Sequence, residues 1–243
     1  MSDNLQYSFK RVEKKYFVTP AQHEMLLGRI NKYMKADTFG KYTVCNIYYD
    51  TADWRLIRAS IEKPAYKEKL RVRSYGTPAA DDKIFIELKK KFDGIVYKRR
   101  IAAVSSLLEP ILYGPSRVNS SQIENEIKWF QNFYGLSPKV FIGYDRTAFA
   151  GIDNPNLRIT FDTDMRWRDT DLNLRFGDYG KPLISSDKIL MEIKIPGAAP
   201  LWLCSLLSEL EIFPESFSKY GTCWREHILK REHILKKEAL LNA

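Results

Sequence analysis

The chain has 243 residues, enough for one large β-rich domain or two small ones, and a hydrophobic fraction of 44% supplies material for a core. Lys and Arg number 39 against 30 Asp and Glu, a formal charge of +9 that points to an anionic partner: nucleic acid, an anionic membrane surface or a polyphosphorylated metabolite. Cys45, Cys204 and Cys223 are scattered and lack CxxC spacing, which argues against a disulfide framework or a zinc site and for a reducing compartment.

Residues 1–4 open no apolar leader, and no stretch approaches the ~18 apolar residues of a membrane span. The expectation is a soluble, cytoplasmic protein. Alternation of apolar and polar residues predicts a strand over residues 7–18. Thr19 and Pro20 then read as an N-cap and first helical position, opening a helix over 20–35. A second strand is expected at 42–49 and a short helix, capped by Thr51, through Ile61. Strands follow at 66–75, 83–92 and 95–103, the last two joined by the tight-turn pair Asp93-Gly94.

Two helices are expected at 105–113 and 122–134, and strands at 139–150, 157–167 and 189–195. Residues 169–186 read as loop or irregular strand, and 201–210 as a helix. A basic helix begins at about Cys223 and contains Arg-Glu-His-Ile-Leu-Lys twice, at 225–230 and 231–236. That six-residue period matches no single helical face, so it reads as a local duplication. His23, His227 and His233 fall on predicted helices, with solvated or helix-end roles. No Gly/Ser linker divides the chain, so a single domain over 1–243 is expected.

Side chains alternate faces along a strand, which separates the charges from the core. Lys67, Lys69, Arg71 and Arg73 share a face opposite Leu70 and Val72. Glu87 and Lys89 oppose Ile84, Ile86 and Leu88; Lys98 and Arg100 oppose Ile95 and Ile101, with Arg99 out of pattern. Arg158, Thr160, Asp162 and Asp164 oppose Leu157, Ile159 and Phe161, while Glu192 and Lys194 oppose Ile189, Met191, Ile193 and Ile195. Arg11, Glu13 and Lys15 share a face of the first strand. Any one such strand reads as ordinary and half-buried. The set reads differently, because like charges side by side on an open sheet repel. Closure around a polyanion, with helices covering the apolar faces, relieves that repulsion. Base-stacking aromatics are few on the charged faces, so no nucleic acid is expected.

Several ordered segments resemble the VTC domain of polyphosphate polymerases, within the triphosphate tunnel metalloenzyme superfamily. They include Glu13-Lys14-Lys15-Tyr16, Tyr48-Tyr49-Asp50-Thr51, residues 69–75 and 85–89, and Tyr97-Lys98-Arg99-Arg100. Residues 144–149 and 158–162, Met191-Glu192-Ile193-Lys194 and Ser216-Phe217-Ser218-Lys219-Tyr220 continue the series. The resemblance implies an α+β fold: a closed, eight-stranded antiparallel β-barrel with surrounding helices. It implies phosphate contacts by Lys15, Arg71, Arg73, Lys89, Lys98, Arg146, Arg158 and Lys219, and a divalent ion, Mn²⁺ or Mg²⁺, on Glu192. Arg71, Arg73, Lys89 and Glu192 are the expected catalytic set.

Apart from the resemblance, the alternatives are Glu192 as an ion-pair partner of Lys194 or of a neighbouring-strand cation, Arg146 as a brace for Asp145 or a loop, and Lys219 as a solvated residue. Related triphosphatases and class IV adenylyl cyclases carry two alternating glutamates before the first-strand lysine. Here Glu13 is present but Arg11 occupies the earlier place. ATP and polyphosphate are the expected partners of a polymerase, with a separate membrane partner compatible. Hydrolysis of a triphosphate, with Glu13, Glu87 and Asp162 holding a second metal, stays open. So do polyphosphate binding without turnover and a basic nucleic-acid module.

Overall fold

The structure, a computed structural model, describes residues 11–93, 95–115 and 120–241. The first strand, β1 (Arg11–Val18), leads into α1 (Pro20–Ile30); the expected strand residues 7–10 lie outside the described residues. The Thr19 hydroxyl accepts the Gln22 backbone N–H at 3.2 Å, and the Gln22 side chain accepts the Thr19 N–H at 2.9 Å. This reciprocal cap, with proline at the first helical position, fixes where the helix starts. It ends at Ile30 because β2 (Met34–Asp50) begins early, 17 residues long instead of the expected 42–49.

Asp50 organises the following turn. Its buried carboxylate accepts the backbone N–H groups of Thr51, Leu56 and Ile57 at 2.9, 2.9 and 3.0 Å, and the Tyr220 hydroxyl at 2.9 Å. Two of those amides belong to α2 (Arg55–Ile61), whose orphan N–H groups would otherwise be buried unpaired. Next come β3 (Tyr66–Tyr75), β4 (Lys83–Phe92) and β5 (Ile95–Val104). Asp93 adopts φ 43°, the left-handed backbone that a two-residue hairpin turn needs.

A 3₁₀ turn precedes α3 (Leu108–Tyr113), and α4 (Gln122–Tyr134) is capped by Ser121 and ended by Gly135 at φ 60°. Then follow β6 (Ser137–Gly151), β7 (Arg158–Arg168), β8 (Lys181–Pro182) and β9 (Ile189–Pro196). The expected loop at 169–186 thus contains a two-residue strand, paired to β7. The chain ends in α5 (Leu201–Glu209), α6 (Lys219–Cys223), a π turn at Trp224–Leu229 and α7 (Lys230–Leu241). The C-terminal helical run therefore starts four residues before Cys223. No described helix is long and apolar enough to cross a membrane.

The strands form one nine-stranded sheet of order β1-β9-β7-β6-β2-β3-β4-β5, with β8 attached to β7. The registered pairs are antiparallel. The expected closed eight-stranded barrel is not formed: β1 and β5 end the order, and no pairing joins them among the described residues. The sequence of β5 gives a physical reason. Lys98, Arg99 and Arg100 are consecutive, so both faces of this edge strand are cationic. Such an edge repels a further cation-rich strand.

Two compact units divide the chain. One comprises Met1–Tyr42, Asp145–Asp164 and Ile184–Phe217. Its core gathers Leu26 and Ile30 of α1, Ile159 and Phe161 of β7, Met191 and Ile193 of β9 and Leu203 of α5. The other comprises Thr43–Tyr144, Met165–Leu183 and Ser218–Ala243. Its core packs Leu70, Val72, Ile84, Ile86 and Leu88 of β3 and β4 against Ile111, Ile127 and Phe130 of α3 and α4. Here Arg99, which breaks the apolar side of β5, finds Glu126 of α4 at 3.4 Å, and Lys90 finds the same carboxylate at 2.8 Å. A helix carboxylate compensates the break in pattern.

Asp50→Ala strands three backbone amides and a tyrosine hydroxyl in a buried site. The expected loss is about 3 kcal/mol of unfolding free energy in urea titration. A loss below about 1 kcal/mol, the worth of an ordinary hydrogen bond, would contradict this organising role.

Candidate functional site

In the second unit the cations stand in register. Lys69, Lys89 and Lys98 are direct neighbours across β3, β4 and β5, and the next row is Arg71, Glu87 and Arg100. Among the described residues of these three strands, Glu87 is the one carboxylate on this face. It is almost fully buried, 1% exposed. Arg71 reaches it with Nε and Nη2 at 2.7 Å, Arg100 with Nε at 2.7 Å and Lys98 with Nζ at 2.7 Å. Burial alone would raise the Glu87 pKa; the charges of Arg71 and Arg73 and the hydrogen bond from Lys98 outweigh it and hold the carboxyl well below its usual range.

Neutral oxygens complete the cradle. Burial opposes the charge on Arg71, but Tyr48 and Glu87 outweigh that and keep its pKa raised; the Tyr48 hydroxyl lies 3.3 Å from Nη1. Arg73 donates Nε to Asn46 Oδ1 at 2.9 Å and Nη2 to the Tyr144 hydroxyl at 3.3 Å. Lys219, the first residue of α6, is buried with its ammonium 4.4 Å from the Tyr144 ring centre. Tyr220 stacks on Tyr48 at 4.6 Å while its hydroxyl holds Asp50. The sequence placed Arg71, Arg73, Lys89 and Lys98 on one face, and the register agrees. It did not show Asn46, Tyr48 and Tyr144 as their partners, because polar groups that orient an arginine have no characteristic spacing.

The first unit carries a second constellation. Across β1, β9 and β7 one row is Lys15, Glu192 and Thr160, and the next is Glu13, Lys194 and Arg158. Lys15 Nζ lies 3.7 Å from Glu192 and 3.9 Å from Glu13, and donates to the Phe217 carbonyl at 2.9 Å. Lys194 lies 3.3 Å from Glu192 and 3.8 Å from Glu13. Arg146 grips the buried Asp162 with two hydrogen bonds of 2.6 and 2.8 Å and approaches Glu192 at 3.6 Å. Arg146 therefore braces Asp162, and Asp145 takes Lys41 at 3.2 Å. Arg158 is half-exposed and reaches Asp37 only at 3.9 Å.

The ion pairs of Glu192 with Lys15, Arg146 and Lys194, at 3.3–3.7 Å, are longer than the contacts that lock Glu87 and Asp162. Among the described residues no three His, Cys, Asp or Glu side chains gather into a metal-binding set. The oxygen donors present nevertheless suit a hard divalent cation, which commonly takes one or two carboxylates and completes its shell with substrate phosphate. Glu192, with Glu13 on the adjacent strand and the buried Thr160 hydroxyl in its own row, fits that description. The guanidinium contacts on Glu87 and Asp162 argue against either as a second metal ligand.

Two of the three histidines depart from their expected solvated or helix-end roles, while His233 is exposed as expected. His23 packs edge-on against Phe161 at 4.5 Å, and burial lowers its pKa. His227 stacks on Trp167 at 4.8 Å, with Nε2 3.0 Å from the Leu183 carbonyl. A period-based reading of the helices cannot see these ring contacts from distant strands. Cys45, Cys204 and Cys223 are free thiols.

A profile of the VTC domain family matches residues 10–226. Among solved structures, a candidate adenylate cyclase from Bacillus halodurans is 12% identical with a TM-score of 0.51, over 86% of this chain and 93% of that one. A candidate adenylyl cyclase from Hippeastrum, described as having a dominant triphosphatase activity, is 16% identical with a TM-score of 0.50, over 89% and 95%. A third candidate adenylate cyclase, from Vibrio parahaemolyticus, is 14% identical with a TM-score of 0.48, over 89% and 98%. The comparison with curated protein sequences gives no match. At such identities the structural likeness concerns the fold alone.

Lys98 carries a pH-dependent expectation. Burial pushes its ammonium down to about 8, assisted by Arg100 and Arg71 and opposed by Glu87. A bound polyanion favours the charged form and raises that value. Tripolyphosphate binding is therefore proton-neutral at Lys98 well below pH 8 and takes up a proton as the pH rises through 8, so affinity falls above it. Calorimetry at pH 8.5 in two buffers of different ionisation enthalpy should show proton uptake that Lys98→Met removes. Equal uptake in both proteins would place the titrating group elsewhere.

Proposed function

We propose that this chain, which belongs to the VTC domain family of the triphosphate tunnel metalloenzyme superfamily, is a metal-dependent polyphosphate polymerase that moves the γ-phosphate of ATP onto a polyphosphate chain. The superfamily binds triphosphate substrates and generally uses divalent metal ions. The observation that carries the reading is the registered face of β3, β4 and β5, where rows of Lys and Arg converge around one buried carboxylate. A face so charged suits a ligand with one negative oxygen per phosphate repeat along its length. Nucleic acid would add stacked bases, for which this face offers few aromatic partners.

In this reading Lys15, Arg71, Arg73, Lys89, Lys98, Arg146, Arg158 and Lys219 bind phosphate oxygens. Arginine recognises two oxygens of one phosphate, and lysine follows the chain as a movable point charge. Glu192 holds Mn²⁺ or Mg²⁺, which when bound neutralises charge on the transferred group. A terminal oxygen of the acceptor chain attacks the γ-phosphorus. The new P–O bond forms as the bond from the γ-phosphorus to the β–γ bridging oxygen breaks, and ADP leaves with that oxygen. The attacking oxygen is already anionic, so no strong general base is required. Arg71, Arg73 and Lys89 hold donor and acceptor in line, which supplies rate through orientation.

Arg11 supports transfer to phosphate over transfer to water, since it stands where the related hydrolases carry a first glutamate. The free thiols fit a reducing, cytoplasmic setting. Incubation of the pure protein with ATP, Mn²⁺ and a short polyphosphate primer should yield ADP and chains longer than the primer, resolved on a gel, with orthophosphate a minor product. Orthophosphate as the main product without chain growth would make the protein a triphosphatase. Primer bound without turnover would make it a polyphosphate-binding module.

A further inference from the structure

Thr160 is out of place by the ordinary rules of strand chemistry. It lies on the polar face of β7 between Arg158 and Asp162, both of which reach ion-pair partners. Thr160 itself is 8% exposed, and its hydroxyl is buried without a hydrogen-bond partner among the described residues. A buried unpaired hydroxyl destabilises a fold. Valine would occupy the same volume, favour a strand equally and strand no polar atom. The register adds a location to this anomaly: Thr160 is the direct cross-strand partner of Glu192, in the row Lys15, Glu192, Thr160.

We propose that the Thr160 hydroxyl oxygen is a ligand of the divalent cation held by Glu192. This inference rests on the metal placement proposed above. Mg²⁺ and Mn²⁺ prefer oxygen donors, and a hydroxyl supplies one without adding charge. Neutrality matters in this row. Lys15, Arg146 and Lys194 lie within 4 Å of Glu192, and a second carboxylate in place of Thr160 would cancel part of the positive potential that draws phosphate in. A hydroxyl binds the cation through a lone pair and keeps its hydrogen for donation to a phosphate oxygen.

The test compares calorimetric affinities for a non-hydrolysable ATP analogue with Mn²⁺ and without it, in EDTA, for the full chain. The Mn²⁺-dependent gain in affinity is the readout, so turnover plays no part. Thr160→Val should lose about tenfold of that gain, keep the metal-free affinity, and melt at or above the wild-type temperature because the unpaired hydroxyl is gone. Thr160→Ser should keep the gain, and Thr160→Ala should lose it as Val does, which covers a valine variant that fails to fold. An unchanged gain in the Val or Ala variant overturns the inference. So does an equal loss with and without Mn²⁺, which would assign the hydroxyl to phosphate alone. Glu192→Gln, measured in parallel, separates the two layers. If it keeps the full gain, the metal placement on Glu192 fails; if it loses the gain while Thr160→Val keeps it, only the role of Thr160 fails.

Discussion

Repulsion between like charges is the constraint on which the second unit is built. The register of β3, β4 and β5 sets Lys69, Lys89 and Lys98 opposite one another, an arrangement that destabilises strand pairing wherever it occurs. What offsets it is local and asymmetric. The apolar faces of the same strands bury Leu70, Val72, Ile84, Ile86 and Leu88 completely, each worth roughly 1.5–3 kcal/mol of transfer free energy. Glu87 supplies the compensating negative charge from within the sheet, held by two guanidinium groups and an ammonium. The carboxylate thus aligns the cations without neutralising the face, and a polyanion can complete the charge balance.

The first unit solves a similar problem differently. Glu13 and Lys15 on β1 face Lys194 and Glu192 on β9, so opposite charges are paired directly across the strands. These contacts run from 3.3 to 3.9 Å, the shortest of them a hydrogen bond from Lys194 Nζ to Glu192. By contrast Arg146 and Asp162 form a close bidentate pair with the carboxylate fully buried. One acidic group is thereby fixed as structure, while Glu192 sits among long ion pairs beside a hydroxyl that nothing in its row satisfies. That division of labour between carboxylates is what the proposed single metal position rests on.

The strands at 66–75 and 83–92 were legible in the sequence because period-two alternation there coincides with a mostly apolar buried face. The capping of α1 by Thr19 was equally legible, since its chemistry is confined to four consecutive residues. The early start of β2 was not. Residues 34–41 contain Asp37 and Gly40, poor strand formers, and the strand depends on a neighbour distant in sequence. Closure into a barrel was inferred from charge and from resemblance, but it is a property of strand order, and the doubly cationic edge of β5 ends that order. Of the site, the cations were readable by face. Their orienting partners Asn46, Tyr48 and Tyr144, the burial of Lys219 and the unsatisfied Thr160 hydroxyl arise only from tertiary contact.

The central claim is that the cationic face of β3, β4 and β5 is built to receive a polyphosphate anion, and thermal unfolding tests it most directly. Micromolar tripolyphosphate should raise the melting temperature of the wild-type protein by several degrees, far beyond the effect of chloride at equal ionic strength, as binding to the folded state requires. Arg71→Ala should remain folded and lose most of that increment. A melting temperature indifferent to tripolyphosphate, or an increment that Arg71→Ala retains in full, would contradict the account.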